Sequence, residues 1–253
     1  IGSGLLHAVD DSTKNERMKA DLITNVSHDI KTPLTSIINY VNLIKLEHID
    51  NERVNSYIRI LDAKSQRLKQ LTGDLVETSR ITSGNVKLDM QKIDLVELIY
   101  QTAGEFNEKF EAKELTIVTK LPKTEVMILA DGRQLYRVIE NLYNNVAKYA
   151  LEKTRVYVDV HVLEEKVTFS IKNVSERSLA LENSNAGDLT ERFIRGDASR
   201  TTEGSGLGLS IAKSLTQLMG GIFFIGVDGD LFKVVLGFAE TAEKETKEKN
   251  NKI

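Results

Sequence analysis

NVSHDIKTPL, residues 25–34, holds one of only four histidines and one of only two prolines in a chain of 253 residues. Around it, Leu22, Ile23, Val26, Ile30, Leu34, Ile37, Val41 and Ile44 recur at steps of three and four. That spacing lays an apolar stripe along one face of a helix from about Ser12 to Glu47, which Asp11 or Ser12 can cap. His28 lies two residues past Val26, about 200° around the helix at roughly 100° per residue, so it turns away from the stripe. Pro33 removes an amide hydrogen from the helical ladder and predicts a bend about one turn beyond His28. Two readings of His28 stand side by side. One is an exposed histidine above an incidental kink. The other is a nucleophile displayed at a flexible point, with Asp29 beside it to orient the imidazole and take its proton.

A polar stretch, His48 to Asn51, reads as a turn. After it Val54, Ile58, Leu61, Leu68, Leu71 and Leu75 repeat with helical spacing up to Ser83-Gly84, a glycine stop. Two long amphipathic helices joined by a short turn make an antiparallel hairpin. Such a pair cannot bury both of its apolar faces, and a dimeric four-helix bundle would do so. The formal charge of −3 with both signs mixed argues against nucleic acid as a partner. The absence of cysteine excludes disulfides and thiolate metal sites. No run approaches the ~20 apolar residues of a bilayer span. The chain could still be the soluble part of a longer membrane protein.

Past Gly84 the texture changes. Val86 to Met90 alternates and predicts a strand. Asp94 predicts a capped helix to about Lys113, and Leu115–Lys120 and Val126–Ala130 predict strands. Asp131-Gly-Arg-Gln134 has capping-box spacing and opens a helix carrying VIENLYNNVAKYA, residues 138–150. Val156–Leu163 with Val167–Asn173, and Ile222–Val227 with Leu231–Phe238, read as hairpins. Between these hairpins lie a polar loop over 174–203 and a helix from Ser210 to Met219. The order predicts an α+β chain, its second part an α/β sandwich with helices on one face of a mixed sheet. The expected domains are a linker or added scar over 1–11, a helical hairpin over 12–84, a catalytic domain over 85–239 and a solvated charged tail over 240–253.

Asn141, Asn145 and Lys148 fall at steps of four and three on one helical face. They read either as an ordinary polar face or as a polyphosphate site. In the second case Asn145 offers a carbonyl oxygen to Mg²⁺, Lys148 meets phosphate, and Tyr149 could cover a flat ring. Gly204, Gly206 and Gly208, with Leu207 between them, open a helix and let its N-terminal amides approach an anion. This turn follows a polar loop rather than a strand, so it is not a dinucleotide fingerprint, and it lacks the Gly-Lys-Ser/Thr of a P-loop. Arg195 and Arg200 add cations upstream.

Taken together, these segments resemble the cytoplasmic core of a sensor histidine kinase, from about residue 12 to 238. SHDIKTPLTSI is similar to the phosphoacceptor box, NLYNNVAKY to the asparagine box, ERFIRGD (191–197) to the phenylalanine box, and EGSGLGLSIAKSL to the second glycine box. The resemblance implies a homodimeric ATP- and Mg²⁺-dependent autokinase that phosphorylates His28. It then passes the phosphoryl group to an aspartate of a response-regulator receiver domain. It further implies Asp29 as general base, and Thr32 as the residue that positions water in a phosphatase step. Asn145 would bind Mg²⁺, and Asn141, Lys148, Tyr149 and the Gly204–Gly208 turn would hold nucleotide. Related ATPases of this fold carry a glutamate one turn before the Mg²⁺ asparagine to activate water. Asn141 stands there and is a poor base, which suits a protein nucleophile. One departure stands out, since Asn173-Val-Ser-Glu-Arg replaces the Asp-x-Gly-x-Gly of the first glycine box. Asn173 can still accept a hydrogen bond from an adenine amino group, without the charge. The alternatives are a degenerate nucleotide-binding scaffold or phosphatase, and a plain ATPase of the same fold.

Overall fold

A computed structural model describes residues 26, 29–47, 49–82, 86–176 and 207–241. Contacts divide the chain into two compact units, residues 1–87 with 183–214 and residues 88–182 with 215–253.

In the first unit, helix α1 covers residues 29–46 and helix α2 spans Glu52–Thr82. The turn between them is shaped by asparagines. Asn51 Oδ1 accepts from Val54 N at 3.1 Å, and Asn55 Nδ2 donates to Ile49 O at 2.8 Å. The first contact satisfies an amide that a helix start leaves without a partner, and the second holds the turn ahead of it. Close to the turn, Lys45 pairs with Asp62 and ties the two helices. That hydrogen bond is the main reason the Asp62 carboxyl is held below its ordinary range. Helix α1 runs through Pro33, which gives no amide to the ladder. Thr35 Oγ1 donates to Lys31 O at 2.8 Å and Ser36 Oγ to Thr32 O at 3.4 Å, back-bonds of the kind that favour local bending.

Leu34, Ile38 and Val41 are buried on α1, as are Ile58, Ser65, Ser79 and Ile81 on α2. Ile37 and Ile44 on α1, and Leu61, Leu68 and Leu75 on α2, stay exposed at steps of seven. Each helix thus has two seams. On α2 the covered seam mixes Ser65 and Ser79 with Ile58 and Ile81, and the uncovered one carries leucines.

The second unit begins with a difference from the expected strand at 86–90. That stretch is not in a ladder, and the strand β1 lies at Gln91–Asp94 instead. The amide of Asp89 is taken at 2.9 Å by Asp131 Oδ2, so the chain is hooked onto a helix start before it enters a sheet. β1 pairs antiparallel with β3 (Met127–Ala130) as a separate two-stranded sheet. Helix α3 (Leu95–Glu111) starts on Asp94, whose Oδ1 accepts from both Val96 N at 3.0 Å and Val126 N at 3.1 Å. One carboxylate therefore caps the helix and docks the segment leading into β3.

Six further elements follow in the unit: β2 (Thr116–Lys120), α4 (Gly132–Tyr149), β4 (Arg155–Leu163), β5 (Lys166–Val174) and the hairpin of β6 (Ile222–Asp228) and β7 (Leu231–Ala239). The main sheet has the order β2-β4-β5-β7-β6, parallel between β2 and β4 and antiparallel elsewhere. It is the mixed sheet the alternation predicts. Val156, Val158, Val160, Val167, Phe169, Ile171, Val234 and Leu236 are all buried, at alternate positions of each strand. On the helices, Ile99, Phe106 and Phe110 of α3 and Leu135, Ile139, Leu142, Tyr143 and Val146 of α4 are buried. The Tyr143 ring meets those of Phe106 and Phe110 edge-on, at 5.6 and 5.8 Å between centroids. Helix α5 spans Gly208–Leu218, and its Leu215 and Thr216 are fully buried.

Candidate nucleotide and phosphoacceptor sites

Helix α4 carries the richest group of candidate residues. Asp131 sets its start, accepting from Gln134 N at 3.0 Å through Oδ1 while Oδ2 holds Asp89. Burial pushes the Asp131 carboxyl up, but the amides of Asp89, Gln134 and Arg133 and the Arg133 charge outweigh it and hold the carboxyl below its usual range. One flank is fastened to α3 by Tyr136, whose hydroxyl donates to Glu105 at 2.5 Å, and by Lys109, which donates to Asn144 at 3.2 Å. The hydrogen bond to Glu105, then burial, then the Glu140 charge push Tyr136 up to about 12.

With the buried face packed and this flank engaged, Asn141, Asn145 and Lys148 share the remaining, half-buried flank. Asn141 Nδ2 donates to Arg137 O at 2.8 Å, which leaves its amide oxygen as the outward group. Among the described residues, the Asn145 carboxamide has no hydrogen-bond partner and the Lys148 ammonium no ion pair. Both groups reach solvent and are available to a ligand.

Asn173 lies on β5 opposite Val156 of β4 and Phe232 of β7, and is 2% exposed. It occupies the alternate series of Val167, Phe169 and Ile171, so it points with the core. Its Nδ2 donates to Val174 O at 3.0 Å. That bond fixes the amide and leaves Oδ1 as its acceptor. The exit of β5 is stitched to the end of α4. Leu151 N donates to Val174 O and Glu176 N to Tyr149 O, at 2.9 and 2.8 Å, and Ala150 bridges Ser175. Through that seam, Lys148 and Tyr149 are linked to the strand that carries Asn173.

Asp29 and Thr32 belong to the first unit, three residues apart on α1 and exposed. Leu207 and Gly208 also belong to it, at the head of α5. There, Leu207 O accepts from Ile211 N at 2.9 Å and from Ser210 Oγ at 2.7 Å, and the first-turn amides emerge from the helix start. His28, Arg195, Arg200, Gly204 and Gly206 lie outside the described residues. One residue escaped the sequence reading. Lys113, just past the end of α3, donates to Lys148 O at 3.0 Å and to Ala150 O at 3.3 Å. A lysine after a helix is too common a pattern to single out from sequence.

Two family models match the chain in the order the motifs suggest. The His Kinase A (phospho-acceptor) domain matches residues 18–84, and the histidine kinase-, DNA gyrase B- and HSP90-like ATPase matches residues 130–248. The sensor protein VanSC of Enterococcus gallinarum is 34% identical over 209 residues, 81% of this chain and 56% of that protein. The chain belongs to the sensor histidine kinases. The sensor histidine kinase WalK of Bacillus subtilis is 26% identical over 224 residues, 86% of this kinase and 36% of its relative. The kinase chain thus spans about half the length, or less, of these curated relatives. In fold it is similar to full-length ShkA in complex with AMPPNP, with a TM-score of 0.72 and 23% identity over 88% of this chain and 46% of that one. The histidine kinase AdeS of Acinetobacter baumannii gives a TM-score of 0.58 and 16% identity, over 85% of this chain and 98% of that one. The helical hairpin followed by an α/β ATPase-type domain is the expected fold class. Among the described residues, no helix is long and apolar enough to cross a membrane.

Proposed function

We propose that this kinase binds Mg²⁺-ATP on the half-buried flank of α4, phosphorylates His28 and passes the phosphoryl group to an aspartate of a receiver domain. The observation that carries this reading is the available Asn145 carboxamide and Lys148 ammonium, joined through the α4–β5 seam to an inward-facing Asn173 whose amide is oriented as an acceptor. Oδ1 of Asn173 would receive the amino group of adenine, and Tyr149 would lie against the base. Lys148 would meet phosphate. The amides of the Gly204–Gly208 turn at the head of α5, with Leu207 in it and Arg195 and Arg200 upstream, would hold the remaining phosphate charge.

The donor set fits magnesium that arrives with its nucleotide. Among the described residues, no group of three or more His, Cys, Asp or Glu could hold a bare ion. A single amide oxygen from Asn145, with Asn141 beside it, suits a hard cation that keeps phosphate oxygens and water as its other ligands. Bound there, Mg²⁺ would neutralise charge on the β- and γ-phosphates.

In the transfer step, the unprotonated ring nitrogen of His28 attacks the γ-phosphorus, the bond to the β,γ-bridging oxygen breaks, and ADP leaves. The proton on the other ring nitrogen passes to Asp29. A receiver aspartate then attacks the phosphohistidine, and the imidazole is the leaving group. In the reverse sense of signalling, Thr32 would place a water against the receiver's phosphoaspartate. The exposed seams of the hairpin support a homodimer through a four-helix bundle, and this core is, on the same proposal, the cytoplasmic part of a membrane-anchored parent.

Incubation with γ-labelled ATP tests the assignment. His28→Gln is expected to abolish acid-labile labelling and keep ATP binding, whereas Asn145→Ala is expected to lose both. Continued labelling of the His28 variant would sink the assignment.

A further inference from the structure

We propose that Lys113 is a positioning residue for the nucleotide, the tie that keeps the end of α4 and the exit of β5 at a fixed separation. The proposal rests on the ATP reading of Asn145, Lys148 and Asn173. Three segments meet at the Lys113 ammonium. It donates to the carbonyls of Lys148 and Ala150 at the end of α4, and it stands 3.7 Å from Glu176 Oε2 just past β5. The main chain of Lys113 is anchored as well. Its amide donates to Phe110 O at 3.2 Å, and its carbonyl accepts from Lys153 N at 3.0 Å.

The last carbonyls of a helix have no donor within it, and a cation there also suits the helix dipole. Ala150 is fully buried, so its carbonyl would lose its lysine partner away from bulk water if Lys113 were removed. The seam that Lys113 braces joins Tyr149, Ala150 and Leu151 to Val174, Ser175 and Glu176. Lys148 and Tyr149 stand on one side of it and Asn173 on the other. A nucleotide that touches both sides needs their spacing held before it arrives. The ammonium is committed to main-chain carbonyls, so Lys113 acts through its neighbours.

The test is the rate of His28 labelling against ATP concentration, with nucleotide-free thermal unfolding in parallel. Lys113→Met is expected to raise the half-saturating ATP concentration about tenfold, the loss of roughly one net hydrogen bond to a charged donor, and to leave the maximal rate within about twofold. Lys113→Arg, whose fork can serve two carbonyls, is expected to recover most of the affinity. A purely structural lysine would lower the melting temperature and leave half-saturation where it was, and that result overturns the proposal. So does a lowered maximal rate at unchanged half-saturation. Should Lys113→Met fail to fold, Lys113→Gln carries the same two readings. A parent chain that binds no Mg²⁺-ATP defeats the ATP reading itself, whatever the Lys113 variants do.

Discussion

At the scale of single residues, Asp131 and Asp94 do more than cap helices. Each gives one carboxylate to two segments far apart in sequence, so their loss is a tertiary event. Asp131→Ala is expected to destabilise the domain by about 1–2 kcal/mol near pH 7, from a lost cap and an orphaned Asp89 amide. The Asp131 pKa lies below its unfolded value, so its contribution is full above about pH 4 and fades as pH falls through the folded value. Urea midpoints at pH 7 and pH 3 should therefore differ more in the parent than in Asp131→Asn; equal differences would rule this out. Gly220 and Gly221 divide two jobs after α5. Gly220 takes φ 77°, the left-handed turn that ends a helix. At Gly221 a Cβ would come within 2.6 Å of Phe238 Cε1 and 3.0 Å of Gly237 O. Gly221→Ala should thus cost about 1–3 kcal/mol, read as a shifted denaturation midpoint.

At the scale of elements, legibility followed locality. The caps of α3 and α4 and the alternation of β4 and β5 are all written within a few residues, whereas the glycine stop expected at Ser83-Gly84 lies outside the described residues. The strand expected at Val86–Met90 failed because alternation alone does not say which ladder a segment joins. Asp131 takes the Asp89 amide, and pairing begins only at Gln91. For the same reason, the sequence names Asn141, Asn145, Lys148 and Asn173 but not Lys113. A motif repeats a spacing, whereas Lys113 matters only through carbonyls 35 and 37 residues away. The β4–β5 turn offers a direct test of local chemistry. Glu164 and Glu165 take φ 50° and 60°, a left-handed pair that favours Asn-Gly. Glu164→Asn with Glu165→Gly should raise stability by about 1 kcal/mol, and a melting temperature at or below the parent's would refute it.

At the scale of the whole molecule, the hairpin buries Ser65 and Ser79 while Leu61, Leu68 and Leu75 face outward, an arrangement that a single copy leaves unsatisfied. Leu61→Lys with Leu68→Lys is expected to halve the mass measured by light scattering and leave the hairpin helical; an unchanged mass would exclude this seam from the dimer. The sheet carries a different consequence, one that concerns time. β7, the last of the described strands in chain order, sits inside the sheet between β5 and β6. Until residues 231–239 emerge, β5 offers nine positions of unpaired edge next to Val167, Phe169 and Ile171, side chains destined for the core. The helical hairpin, whose contacts are local, can form early in synthesis. The nucleotide domain cannot close until its end is made, and during that interval the nascent chain is most exposed to aggregation and most in need of a chaperone.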